Sequence, residues 1–164
     1  MGEVMAWLRD ELPADVIVTN GAGNFTVWPN KFMLYGPHAR LLGPQSGAMG
    51  YGLPAALAAK AADPDRMAVC FTGAGDLQMV VGELGPAAQH GLQPIGLVID
   101  NAMYGTIRLH QERRHPGRLI GTDIVNPDFV MLGTAYGFHS ERVTTTAACP
   151  DAFRRAAASP TGAL

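Results

Sequence analysis

Four short segments hold the residues best suited to chemistry. They are Asn20 to Asn24 (NGAGN), Gly43 to Gly52 (GPQSGAMGYG), Thr72 to Asp76 (TGAGD) and Asp100 to Gly105 (DNAMYG). Each is rich in Gly or Asn, and each is expected to follow a β-strand. Glycine lets backbone N–H groups come close to a phosphate, and a helix that opens just after such a turn adds partial positive charge. One such loop is an ordinary turn. Four loops on one edge describe a phosphate cradle.

The elements that must position these loops can be read from the pattern. Asp15 to Thr19, Met67 to Phe71 and Ile95 to Ile99 are short runs apolar on both faces, as expected of central strands in a covered parallel sheet. Helical stretches are expected at Val4 to Leu12, Leu53 to Ala62, Asp76 to His90, Pro127 to Tyr136 and Thr146 to Ala158. Gly82, Gly85 and Pro86 interrupt the third, which predicts a kink or break at Gly85–Pro86. Strand–helix alternation gives an α/β fold, a doubly wound, mainly parallel sheet with helices on both faces. In such sheets ligands bind at the carboxyl ends of the strands, where all four segments fall. His110 to Asp123 is the longest expected loop.

Composition narrows the function classes. The 164 residues suit one domain, 1–164, with its own core. A formal net charge of -2 gives no electrostatic case for nucleic acid or an anionic membrane. No apolar stretch reaches membrane-spanning length. Cys70 and Cys149 lack metal-ligand spacing; Cys70, in an apolar run, reads as a buried free thiol, compatible with a cytoplasmic setting. The segment MGEVMAWLRDEL carries acids where a secretory leader would be basic. At the other end SPTGAL reads as a turn entering a strand, which makes the sequence look like a fragment of a longer chain.

The segment from Gly73 to Gly105 resembles the thiamine diphosphate motif: Gly-Asp-Gly, a spacer in the mid twenties, then an Asn pair or Asp-Asn. Here Gly73-Ala74-Gly75 is followed by 24 residues, 76 to 99, and then Asp100-Asn101. SGAMGYGLPAALAAK (46–60), NAMYGTIRLHQE (101–112) and VTNGAGNFTVW (18–28) are similar to the flanking segments of acetolactate synthases. The resemblance covers nearly the whole chain and identifies it with the C-terminal, diphosphate-binding domain of the acetolactate synthase large-subunit type.

That resemblance implies two cofactors, thiamine diphosphate and Mg²⁺. It places Ala22, Gly23, Asn24, Phe25, Gly73, Gly75, Asp76, Leu77, Tyr104 and Gly105 around the diphosphate. Gly47 matches a glycine whose carbonyl meets the aminopyrimidine, and Met49 the apolar residue that bends the cofactor. Metal ligands would be the Asn101 side chain and the Met103 carbonyl, with Ala74 at the position of the family's aspartate. A methyl group cannot ligate Mg²⁺. Asp76, two positions on, is either a substitute ligand or a helix N-cap or first-turn acid.

The implied reaction decarboxylates a 2-keto acid and transfers the resulting enamine to an acceptor, as in branched-chain amino acid biosynthesis. No catalytic residue is expected in this chain. The activating Glu belongs to a pyrimidine-binding domain of the same or a neighbouring subunit in a homo-oligomer, so the isolated domain would be inactive. Two other readings stay open. A nicotinamide-binding domain would need a glycine where Gln78 stands. A non-catalytic module of the same fold, with strong metal binding lost, is favoured by Ala74. Glu83 is expected in an ion pair or hydrogen bond, Trp7 and Trp28 in packing, and His110, Arg113, Arg114 and His115 in a solvated loop or mobile flap.

Overall fold

The computed structural model describes all residues 1–164. Four parallel strands, β1 (Ile17–Asn20), β2 (Arg40–Leu42), β3 (Ala68–Gly73) and β4 (Ile95–Ile99), form a sheet of order β2-β1-β3-β4. The register runs Val18 to Val69 between β1 and β3, and Phe71 to Leu97 between β3 and β4. Ala163 adds a bridge beyond β4, to Ile95 on one side and His139 on the other.

Both faces are covered, and every residue of β1 and β3 is buried, including the polar Thr19, Asn20 and Thr72 at their carboxyl ends. On one face Val18, Val69 and Phe71 pack with Met5 and Leu8 of α1 (Gly2–Glu11) and Phe153 of α8 (Cys149–Ala158). On the other, Ile17, Ala68 and Cys70 meet Leu53, Ala56 and Leu57 of α3 (Gly52–Ala62) and Leu84 and Ala87 of α5 (Leu84–Gln89). Strand residues alternate between the two cores because the side-chain period is two. Each large side chain so buried contributes about 1.5–3 kcal/mol.

Several elements depart from the sequence reading. The helix expected from Asp76 is broken into α4 (Ala74–Gln78), a 3-10 turn (Val81–Glu83) and α5. The break comes before Gly85–Pro86, not at it. Pro86 is the third residue of α5, where its missing N–H removes no helical bond. Two helices were not expected: α2 (Val27–Phe32) and α6 (Gly105–Arg114). The second takes in His110, Arg113 and Arg114, so the long loop starts only at His115. It buries no residue and so leaves no apolar stripe to read. β2 is a three-residue edge strand, too short for a periodic signal. Near the other end α7 (Phe129–Ala135) is capped by Asp128, which accepts from the amides of Val130 and Met131.

Candidate cofactor site

The chain leaves β1 toward β2 on one side, and β3 lies on the other. The carboxyl ends of β1 and β3 therefore flank the crevice where strand order reverses, the usual ligand position in such sheets. A cavity of about 190 Å³ opens there. Its walls come from three loops: Ala22 to Phe25 after β1, Gly73 to Asp76 after β3, and Asn101 to Ile107 after β4. Met49 closes a fourth side. Positions 22, 75 and 101 thus gather around one space.

Close backbone approach explains the glycines. A Cβ on Gly73 would lie 2.9 Å from the Phe25 ring, and one on Gly75 would lie 2.5 Å from Tyr104 Cε1. A Cβ on Gly105 would lie 3.3 and 3.6 Å from the side-chain amide nitrogens of Asn101 and Asn24. Thr106 donates to Asn24 Oδ1 at 2.8 Å, tying the start of α6 to the β1 loop. At the start of α3, a Cβ on Gly52 would come within 2.8 Å of the Gly21 nitrogen, and its carbonyl accepts from Thr19 Oγ1.

The loop after β4 is held in an unusual shape. Ala102 is the one non-glycine residue with positive φ, at 53°. Asp100 Oδ1 accepts from the Ala102 amide at 3.0 Å and from Asn126 Nδ2 at 2.7 Å. Asn126 Oδ1 accepts in turn from Gln78 Nε2. Asp100 is thereby a turn-forming residue, and Asn101 is the member of the pair that lines the cavity. Asn101 Oδ1 accepts from the Met103 amide at 3.3 Å. Backbone bonds from Tyr104 to Thr122 and from Ile124 to Ala102 pin residues 122–124 alongside.

Asp76 is 2% exposed, and both its oxygens have partners. Oδ1 accepts from the Gly50 amide at 2.6 Å and, more weakly, from the Ala22 amide at 3.4 Å. Oδ2 accepts from Thr72 Oγ1 at 2.7 Å. It is a first-turn acid of α4 but not its N-cap, which is Gly73 without a side-chain bond. The Ala22 amide is thus directed at this carboxylate.

Twelve of the fourteen sequence-derived cofactor residues line the space. Gly47 and Leu77 do not. Gly47 sits in a turn at φ 69°, and Leu77 is wholly buried in the core under α3. Sequence reasoning missed Trp28, Ile99, Thr106 and Ile107 as wall residues. Trp28 also packs as expected, stacking on Phe32 at 5.3 Å. Trp7 packs edge-on against Phe153, as expected. Arg108 is engaged by Glu112 and Asp123. The Glu83 side chain, expected in an ion pair or hydrogen bond, makes neither; only its amide is engaged, donating to the Val80 carbonyl.

The sequence profile of the family described as "Thiamine pyrophosphate enzyme, C-terminal TPP binding domain" matches residues 21–164. The chain belongs to this family. Relatives of this thiamine pyrophosphate domain include the acetolactate synthase large subunit of Parasynechococcus marenigrum (strain WH8102), 34% identical over 87% of this chain and 23% of the relative. The acetolactate synthase isozyme 2 large subunit of Escherichia coli (strain K12) is 34% identical over 84% of this chain and 25% of its own length. Among solved structures, the thiamine diphosphate-dependent 4-hydroxybenzoylformate decarboxylase of Rhodococcus jostii RHA1 superposes with a TM-score of 0.88 at 30% identity. It matches 99% of this chain and 31% of that one. The chain thus spans about a quarter of the length of the curated relatives it matches.

Family membership implies thiamine diphosphate and Mg²⁺ as cofactors. The cavity suits the first: glycine backbone on three sides, and no basic side chain to compete with a metal for the phosphates. The donor set for the second is thinner. Ala74 is 3% exposed and offers only a methyl group. No cluster of His, Cys, Asp or Glu able to hold a metal exists in the chain. What remains is neutral oxygen, from Asn101 and the Met103 carbonyl. Mg²⁺ commonly takes few protein ligands and completes its octahedron with water and substrate phosphate oxygens. The residues present therefore fit a metal shared with a diphosphate.

Proposed function

We propose that this domain binds the diphosphate of thiamine diphosphate, together with Mg²⁺, as part of an acetolactate synthase-like enzyme. That enzyme would decarboxylate a 2-keto acid and transfer the remaining carbons to a second carbonyl compound. The reading is carried by the gathering of the loops at Ala22, Gly75 and Asn101 around one cavity at the sheet's switch point. When bound, thiamine diphosphate supplies the carbon nucleophile and the electron sink for decarboxylation. The roles of the chain's own residues are binding and orientation. Backbone groups of Gly23 to Phe25 and Gly73 to Gly75 would hold the phosphates, Asn101 and Met103 the metal, and Met49 the span between the two rings.

The catalytic acid–base group would come from a pyrimidine-binding domain of the same or a neighbouring subunit, in a homo-oligomer. The domain by itself would then be inactive. A cytoplasmic setting agrees with Cys70, which is free and buried, and no helix is long and apolar enough to cross a membrane. Calorimetry of the protein with thiamine diphosphate, with and without Mg²⁺, tests the reading. Saturable heat that requires the metal is expected; absence of binding overturns it. Ala74, together with the engagement of both Asp76 oxygens by protein donors, favours one alternative, a module of the same fold that has lost strong metal binding. Its mark would be cofactor binding indifferent to Mg²⁺.

A further inference from the structure

We propose that Asp76 is a positioning residue that couples the diphosphate side of the cavity to the turn carrying Met49, and that it is not a metal ligand. The proposal rests on the thiamine diphosphate reading above and deepens it.

The carboxylate touches three separate segments: the Ala22 amide beyond β1, the Gly50 amide beside Met49, and the Thr72 hydroxyl at the end of β3. No Lys or Arg is paired with it. A buried ionised carboxylate is costly unless hydrogen bonds replace its water. Here three donors do so. The bond from Gly50 has the short length of a charge-assisted hydrogen bond. The surroundings are shaped to admit the group: a Cβ on Gly21 would lie 2.0 Å from Oδ2, so only glycine fits beneath it. Gly50, at φ 83°, occupies the left-handed region that presents its N–H to the carboxylate. Oxygens committed to these donors are poor candidates for Mg²⁺. Instead the contact fixes the distance between the Ala22 to Phe25 loop and the Met49 turn. The first would meet the diphosphate, the second the rings.

Ligands that need both sides should therefore depend on Asp76, and ligands that need one side should not. The experiment measures the Kd of thiamine diphosphate and of inorganic pyrophosphate, each at saturating Mg²⁺, and the Mg²⁺ half-saturation at fixed thiamine diphosphate. Asp76→Ala is expected to weaken thiamine diphosphate tenfold or more and pyrophosphate less than threefold, with Mg²⁺ half-saturation unchanged. Asp76→Asn should stay within threefold of the wild type, because its Oδ1 still accepts from Gly50 and its amide can donate to Thr72. Thr72→Val removes one donor alone and should repeat the Asp76→Ala pattern at about threefold, which keeps the test open if Asp76→Ala does not fold. Equal losses on both ligands, no loss on thiamine diphosphate, or a raised Mg²⁺ requirement in Asp76→Asn overturns the coupling role. Failure of the wild type to bind thiamine diphosphate overturns the functional reading instead.

Discussion

The Tyr104 ring packs against Gly75, leaving no room for a methyl group: a Cβ there would meet Cε1 at 2.5 Å and Ile124 Cδ1 at 2.9 Å. This contact locks the loop after β4 onto the start of α4. Gly75→Ala should displace the ring. Overpacking costs about 1–3 kcal/mol, and the better helix propensity of Ala returns about 1 kcal/mol. A small net loss of stability is expected, with a larger loss of cofactor affinity. In Gly75→Ala/Tyr104→Ala the two changes should be less than additive in denaturant melts. Strict additivity would show that the two residues do not restrain each other.

Ala74→Asp restores a charged oxygen where the family motif has one. Mg²⁺ half-saturation for thiamine diphosphate binding should fall by about tenfold, equivalent to ~1.4 kcal/mol. Titration of both forms checks this. An unchanged or raised half-saturation would mean that residue 74 does not face the metal.

Asn126 joins α4 to the β4 loop through Gln78 and Asp100, with both bonds at 2.7 Å. Asn126→Ala removes both. A loss of about 1–2 kcal/mol is expected from the two bonds, along with faster proteolysis between His115 and Asp128. Limited digestion followed by mass spectrometry reads the cleavage sites. Cutting at the same rate as in the wild type would make the bridge dispensable.

Burial pushes the Cys70 thiol up to about 12, with the negative charge of Asp76 adding to the effect and a hydrogen bond from Thr19 opposing it. The folded pKa lies above the ordinary value of 9.0. The neutral thiol therefore contributes its full stability below about pH 9, and that contribution is lost as pH rises toward about 12. Cys70→Ala should flatten the alkaline fall in stability over that window. Alkylation at pH 8 should label the half-buried Cys149 and spare Cys70 until the chain unfolds. Rapid native labelling of Cys70 would contradict its burial.

Local pattern made much of the fold and the site readable in the sequence. The runs at Met67 to Phe71 and Ile95 to Ile99 can be satisfied only between two layers, and the glycines at 73, 75 and 105 stand where backbone must approach closely. These are properties of neighbouring residues, so they survive without coordinates. The edge strand β2 and the polar helix α6 left no such mark, because neither buries a periodic face. The tertiary structure alone decided what Asp76 does. From the sequence it was a helix acid or a stand-in metal ligand; in the fold its partners come from residues 22, 50 and 72. A side chain's donors are chosen by which strand ends meet in space, and chain spacing carries no record of that meeting.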